Sequence, residues 1–168
     1  MLLFDGIQSG AERHPDRTAF HLGDARRTYA EMDETANRVA NTLIDLGVAK
    51  GDRVALYGHK TLDLIGGLFG ILKAGATAVT CNPLYTVPEL HFQLKDTGTG
   101  LLFVLDHPGF YPAALEALED TGVETVVICS VASHLPPEAL AEAREQGAER
   151  ELGAVVAEVL ALARRRKA

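Results

Sequence analysis

The chain has 168 residues and a formal net charge of −7, with 47% apolar and 23% charged residues. These values are typical of a globular domain, and they exclude a disordered chain, a collagen-like repeat and a disulfide scaffold. The net negative charge argues against nucleic-acid binding. No apolar run reaches the roughly 18 residues of a transmembrane segment.

The N-terminal third predicts a β-hairpin followed by a helix. Strand patterns at Thr18–Leu22 and Ala25–Thr28 flank a Gly-Asp pair suited to a tight turn. Thr28 and Glu31 then have the spacing of a capping box, and apolar residues recur at helical spacing as far as Gly47. The first ten residues have too short an apolar stretch for a secretory signal, so we expect a cytoplasmic protein.

Short apolar strands then alternate with helices. The strand patterns lie at Arg53–Tyr57, 76–80, Leu101–Leu105 and 124–129. These strands are apolar throughout, as is typical of a sheet that is covered on both faces. The predicted fold class is therefore α/β: a mainly parallel sheet with helices on both faces, preceded by the short hairpin.

Three helices are predicted between these strands. Thr61 is a candidate cap for the first, and Thr86 with Glu89 forms a second capping box. The third helix pattern covers 111–120 and ends at Gly122. In the first helix, a stripe of small residues at helical spacing predicts close packing against a neighbouring element; it consists of Gly66, Gly70 and Ala74.

The C-terminal part differs in composition, so we divide the chain into an α/β subdomain at 1–137 and a helical extension at 138–168. Two helices rich in Ala and Glu are predicted, at 138–146 and 151–167. The second has a broad apolar face and ends in four consecutive cations, 164–167. These cations fit the C-terminus of a helix, and a helix lying on a membrane surface is the alternative. The apolar face also suggests a protein partner for 151–167.

Composition and spacing alone identify no catalytic, cofactor-binding or metal-binding residue. The stretch Gly58-His59-Lys60-Thr61 lies between a strand and a helix, where anions bind, but it lacks the spacing of a phosphate loop. His107, beside Asp106, ends a strand and is a lone candidate for chemistry. Cys81 and Cys129 are interpreted as buried, reduced thiols.

Several motifs in order resemble one enzyme family. They include GDRVAL at 51–56, GILKAGA at 70–76, NPLYT at 82–86 and QLKDTG at 93–98. Together with HPDRTA at 14–19, they resemble the N-terminal part of the adenylate-forming (AMP-binding) acyl-CoA synthetases, most closely the long-chain fatty acid–CoA ligase branch. The resemblance covers about residues 10–137.

The resemblance implies a two-step reaction in which a fatty acid and ATP give an acyl-adenylate, and coenzyme A then takes the acyl group. ATP, Mg²⁺ and CoA are therefore implied for the full-length family. The family's phosphate loop, Thr/Ser-Gly-Gly/Ser-Thr-Thr-Gly-x-Pro-Lys, does not occur in the 168 residues. We therefore expect an inactive N-terminal fragment that binds none of these cofactors alone. A stand-alone interaction module or split-enzyme subunit, and a small nucleotide-binding α/β domain, are the alternatives.

Overall fold

The computed structural model describes residues 2–130, which fold into helices and strands in the predicted order. The helices are α1 Asp5–Arg13, α2 Tyr29–Asp45, α3 Leu62–Lys73, α4 Val87–Asp96 and α5 Tyr111–Ala117. The strands are β1 Thr18–Leu22, β2 Ala25–Thr28, β3 Arg53–Tyr57, β4 Thr77–Cys81, β5 Leu101–Leu105 and β6 Thr125–Cys129. The helices predicted at 138–146 and 151–167 lie outside the described residues.

The central feature is a four-stranded parallel sheet with the order β4-β3-β5-β6. Strands β1 and β2 form a separate antiparallel hairpin. The predicted α/β class, with its parallel sheet and preceding hairpin, is therefore confirmed. Parallel strands need crossover connections, and α3, α4 and α5 supply them.

The helices cover both faces of the sheet. Helix α3 leads from β3 outward to β4, whereas α4 and α5 lead in the opposite direction along the sheet. Because such crossovers are right-handed, α3 lies on one face and α4 and α5 on the other. The main core lies between these layers. It centres on β5, in which all five residues are buried.

The small-residue stripe of α3 packs against α2, which confirms close packing at Gly66 and Gly70. A Cβ atom added at Gly66 would lie 2.8 Å from Thr35 Cγ2, and one at Gly70 would overlap with Val39 Cγ1. The two helices therefore approach more closely there than any larger residue allows. A second small core, formed by Ile7, Met32, Ala36 and Phe69, joins α1, α2 and α3.

The predicted caps hold the starts of three helices. Glu31 N–H donates to Thr28 Oγ1 at 3.2 Å, and Thr28 N–H donates to the Glu31 carboxylate at 2.8 Å. At α4, the Glu89 carboxylate accepts from both the backbone N–H and the hydroxyl of Thr86, at 2.8 and 2.7 Å. Thr61 Oγ1 accepts from Leu64 N–H at 3.3 Å at the start of α3.

Some predicted boundaries were wrong. The helix predicted at 111–120 is α5, and it ends at Ala117. The chain turns at Asp120, which has φ +55°, and not at Gly122. Aspartate tolerates this left-handed conformation better than most residues. Strand β4 begins at Thr77, because Ala76 N–H still donates to Ile71 C=O and closes α3. Helix α1 was not predicted.

Candidate functional site

The candidate site lies at the C-terminal edge of the sheet, where β3 and β5 are neighbours. The connections that follow these two strands run in opposite directions, so the sheet has its topological switch point between their ends. Ligands of open α/β sheets bind at such a switch point. His59 and Lys60 follow β3, and Asp106 and His107 follow β5; all four are exposed.

Phe110 joins the two loops. Its ring is 5% exposed and lies 4.9 Å from the His59 ring, edge to face, and 5.7 Å from the His107 ring. Tyr57, at the end of β3, also meets Phe110 edge to face at 5.3 Å. The two exposed imidazoles are therefore placed around one buried aromatic ring.

Backbone hydrogen bonds fix the loop after β5. Gly109 N–H donates to His107 Nδ1 at 3.0 Å, so Nδ1 is an acceptor and a neutral His107 carries its proton on Nε2. The N–H groups of Phe110 and Tyr111 both donate to His107 C=O, at 2.8 and 3.0 Å. His107 is thus held at the start of α5.

Asp106 connects β5 with β6. Its carboxylate accepts from Ser130 Oγ at 2.8 Å, and its N–H donates to Cys129 C=O at 3.0 Å. Ser130 is 5% exposed, so its hydroxyl is shielded from water, whereas Asp106 is exposed. Asp106 therefore supports the loop that carries His107.

The loop after β3 has a shape that only glycine fits. Gly58 has φ +146°, and a Cβ atom there would lie 2.6 Å from Leu105 Cγ. The side chain of Lys60 is exposed just before the N-terminus of α3, which favours negative charge. His59, Lys60 and His107 place hydrogen-bond donors and one cation at this edge, beside the carboxylates of Asp63 and Asp106.

Burial favours the protonated form of both thiols. Burial raises the pKa of Cys81 to about 11. Burial raises the pKa of Cys129 to about 12, and the charges of Asp63 and Asp106 add to the effect. The prediction that both thiols are buried is confirmed, and their reduced state stays a prediction.

The residues described provide no three-ligand protein site for the implied Mg²⁺. Within residues 2–130, no three His, Cys, Asp or Glu side chains come close enough to hold a metal ion. None of the helices in this part of the chain combines the length and apolar character that a membrane span requires.

Sequence reasoning treated the 58–61 stretch and His107 as two separate candidates. The structure brings them together, because β3 pairs with β5. Phe110 and Ser130 were missed. The sequence offered one signal for this grouping, namely the aromatic residue Phe110 shortly after His107. A buried ring near the end of a strand orders the side chains around it.

Comparison with known proteins gives consistent matches. Residues 7–162 match the family model described as AMP-binding enzyme. Over 115 residues, the chain is 45% identical to a medium/long-chain-fatty-acid–CoA/3-oxocholest-4-en-26-oate–CoA ligase of Mycobacterium marinum. It is also 32% identical over 133 residues to bacitracin synthase 1 of Bacillus licheniformis.

The matches cover only part of each relative. The first spans 68% of this chain and 20% of the M. marinum ligase, and the second 79% of this chain and 2% of the bacitracin synthase. Among solved structures, the N-terminal domain of FACL13 from Mycobacterium tuberculosis superimposes with a TM-score of 0.69 and 30% identity. That superposition covers 90% of this chain and 37% of the other.

Proposed function

The chain belongs to the AMP-binding enzymes, and we propose that it forms the N-terminal part of a long-chain fatty acid–CoA ligase. The observation that carries the proposal is the order of the family motifs on consecutive elements of one parallel sheet, within a family match over 7–162. In this reaction the fatty acid carboxylate attacks the α-phosphate of ATP and releases pyrophosphate. The CoA thiol then takes the acyl group and releases AMP.

The proposed role of this segment is structural and electrostatic. Its sheet holds His59, Lys60 and His107 at one edge, where they would attract a phosphate of ATP or of CoA. We do not assign a nucleophile or a general base to it, since Cys81 and Cys129 are buried with raised pKa values. Residues 1–168 alone are expected to form no acyl-adenylate.

A chimera tests the proposal. The matched 115-residue stretch of the M. marinum ligase is replaced by the corresponding stretch of this chain. We expect AMP formation that requires a fatty acid, ATP and CoA together. A chimera that folds, with a cooperative melting transition, and makes no AMP would contradict the proposal, as would turnover by residues 1–168 alone.

The same chimera tests whether the C-terminal edge of the sheet binds a nucleotide. Replacing His59 and His107 with Ala removes two hydrogen-bond donors, so we expect the KM for ATP or for CoA to rise roughly tenfold with kcat retained. The KM that rises shows whether ATP or CoA binds at this edge. His21→Ala is the matched control, because His21 is exposed on the hairpin. Equal KM values in all variants would exclude this edge as a binding site.

A further inference from the structure

The Phe110 ring is held in place from the core. It is 5% exposed, and the Tyr57 ring meets it edge to face at 5.3 Å. Tyr57 is itself buried, and its hydroxyl donates to Tyr85 C=O at 3.4 Å. The backbone of Phe110 is fixed as well, because its N–H donates to His107 C=O and its C=O accepts from Ala114 N–H, both at 2.8 Å. A ring held in this way can orient a side chain that packs against it.

The two imidazoles at this edge of the sheet depend on Phe110 to different degrees. His107 has a second restraint, which is the hydrogen bond from Gly109 N–H to its Nδ1. His59 is exposed, and within residues 2–130 no hydrogen bond holds its ring. Its restraint is the edge-to-face contact with Phe110, in which the ring centroids are 4.9 Å apart. The orientation of His59, which follows β3, is therefore set by a residue of the loop after β5.

We propose that Phe110 is a positioning residue of the proposed nucleotide site and that it acts mainly through His59. Orientation matters here because the carboxylates of Asp63 and Asp106 lie at the same edge and would compete with a phosphate for a freely turning imidazole donor. By holding His59 in a fixed relation to His107, Phe110 preorganises two hydrogen-bond donors for one phosphate, which lowers the entropic cost of binding. This inference rests on the proposed function.

The first test measures the orientation of His59 without a ligand, by NMR of residues 1–168. Phe110→Leu keeps an apolar side chain and removes the ring. We expect the three-bond couplings of His59 to report one χ1 rotamer in the wild type and averaged rotamers in Phe110→Leu, with a smaller change at His107. Phe110→Met, which also lacks the ring, is used if Phe110→Leu shows no cooperative melting transition.

Phe69→Leu is the matched control for this measurement. Phe69 is a buried ring in the second small core, so its loss costs packing without touching either imidazole. The couplings of His59 and His107 should therefore be those of the wild type. Averaged rotamers of His59 in the wild type itself, or one unchanged rotamer in Phe110→Leu, would overturn the proposal.

The second test is a double-mutant cycle in the chimera. Phe110→Leu alone should raise the KM for the nucleotide that binds at this edge roughly threefold to tenfold, with kcat retained. In the His59→Ala background, the same substitution should change this KM by less than about twofold, because no imidazole is left there to orient. In the His107→Ala background it should keep most of its effect. An equal effect of Phe110→Leu in all backgrounds would indicate a general structural role and overturn the proposal.

The two tests distinguish a failed positioning role from a failed assignment of function. If the histidine variants leave every KM unchanged while Phe110 still holds His59 in one rotamer, the nucleotide site is wrong and the orientation of His59 by Phe110 is supported. If the histidine variants raise a KM and Phe110→Leu does not, the nucleotide site stands and the positioning role is wrong.

Discussion

Val39 of α2 occupies the space in front of Gly70 of α3, at a distance that leaves no room for a methyl group. The backbone C=O of Ala36, also on α2, lies 3.1 Å from the position of the missing Cβ. The α2–α3 contact is therefore set by backbone approach. A substitution at Gly70 changes the spacing of the two helices.

We expect Gly70→Ala to destabilise the fold by about 1–3 kcal/mol, the range for overpacked cores, despite the better helix propensity of Ala. Chemical denaturation measures the free energy of unfolding. Gly6→Ala in α1 is the control, because no atom lies within 4 Å of its added Cβ, and it should be neutral or stabilising. Val39→Ala should recover part of the loss in a double variant. Stability unchanged by Gly70→Ala would contradict this account of the contact.

The ion pair between α2 and α3 should matter more than a surface pair. Lys73 Nζ lies 2.6 Å from Asp33 Oδ1, and the two side chains are only 11% and 18% exposed. Asp33→Asn leaves the ammonium without its anion, so we expect a loss of about 2–3 kcal/mol, below the value for a fully buried pair. Glu34→Gln breaks a pair that is 70% exposed on both sides and should cost less than about 0.5 kcal/mol. Equal losses of unfolding free energy for Asp33→Asn and Glu34→Gln would contradict this prediction.

The cap of α4 should be pH-dependent. Hydrogen bonds from Thr86 lower the pKa of Glu89 in the folded state below its ordinary value of 4.5. A carboxyl group whose pKa is lower in the folded state than in the unfolded state stabilises the fold at pH values above its unfolded-state pKa. This stabilisation is lost as the pH falls through the folded-state pKa. We expect Glu89→Gln to lower the melting temperature at pH 7 and to match the wild type in strong acid. A difference that persists at low pH would exclude the carboxylate as its source.

The two cysteines should resist thiol reagents in the native protein. Their pKa values of about 11 and about 12 leave very little thiolate at pH 8, and burial blocks access. We expect negligible labelling by a disulfide reagent under native conditions and two thiols per chain in guanidinium. Fast native labelling of either residue would show that its part of the sheet opens readily.

The sequence predicted the strands well because their signals are local. Apolar runs bounded by Gly and Thr placed every strand to within one residue, and threonine caps placed three helix starts. Helix α1 escaped prediction because its N-cap is Phe4, without a side-chain cap, and because Gly10 lowers its helix propensity. Its stability comes from tertiary contact, since Gly10 lies directly against the Tyr29 ring.

The candidate site was less predictable for a topological reason. His59 and His107 are far apart in the chain. His107 contacts Phe110 within its own loop, but His59 contacts Phe110 only because β5 pairs with β3 instead of with β4. Strand order depends on packing between distant parts of the chain, and a local sequence pattern does not predict it. The sequence therefore indicated the individual residues and missed their grouping.

The position of β3 inside the sheet has a consequence for synthesis of the protein. β3 is the first strand of the four-stranded sheet to leave the ribosome. Of its two neighbours in that sheet, β5 is the later one and follows roughly forty residues after β3. During that interval, the apolar stretch from Val54 to Tyr57 has an open edge on which another nascent chain can pair. Slow translation before β5 should therefore increase aggregation, and fast translation of 58–105 should reduce it.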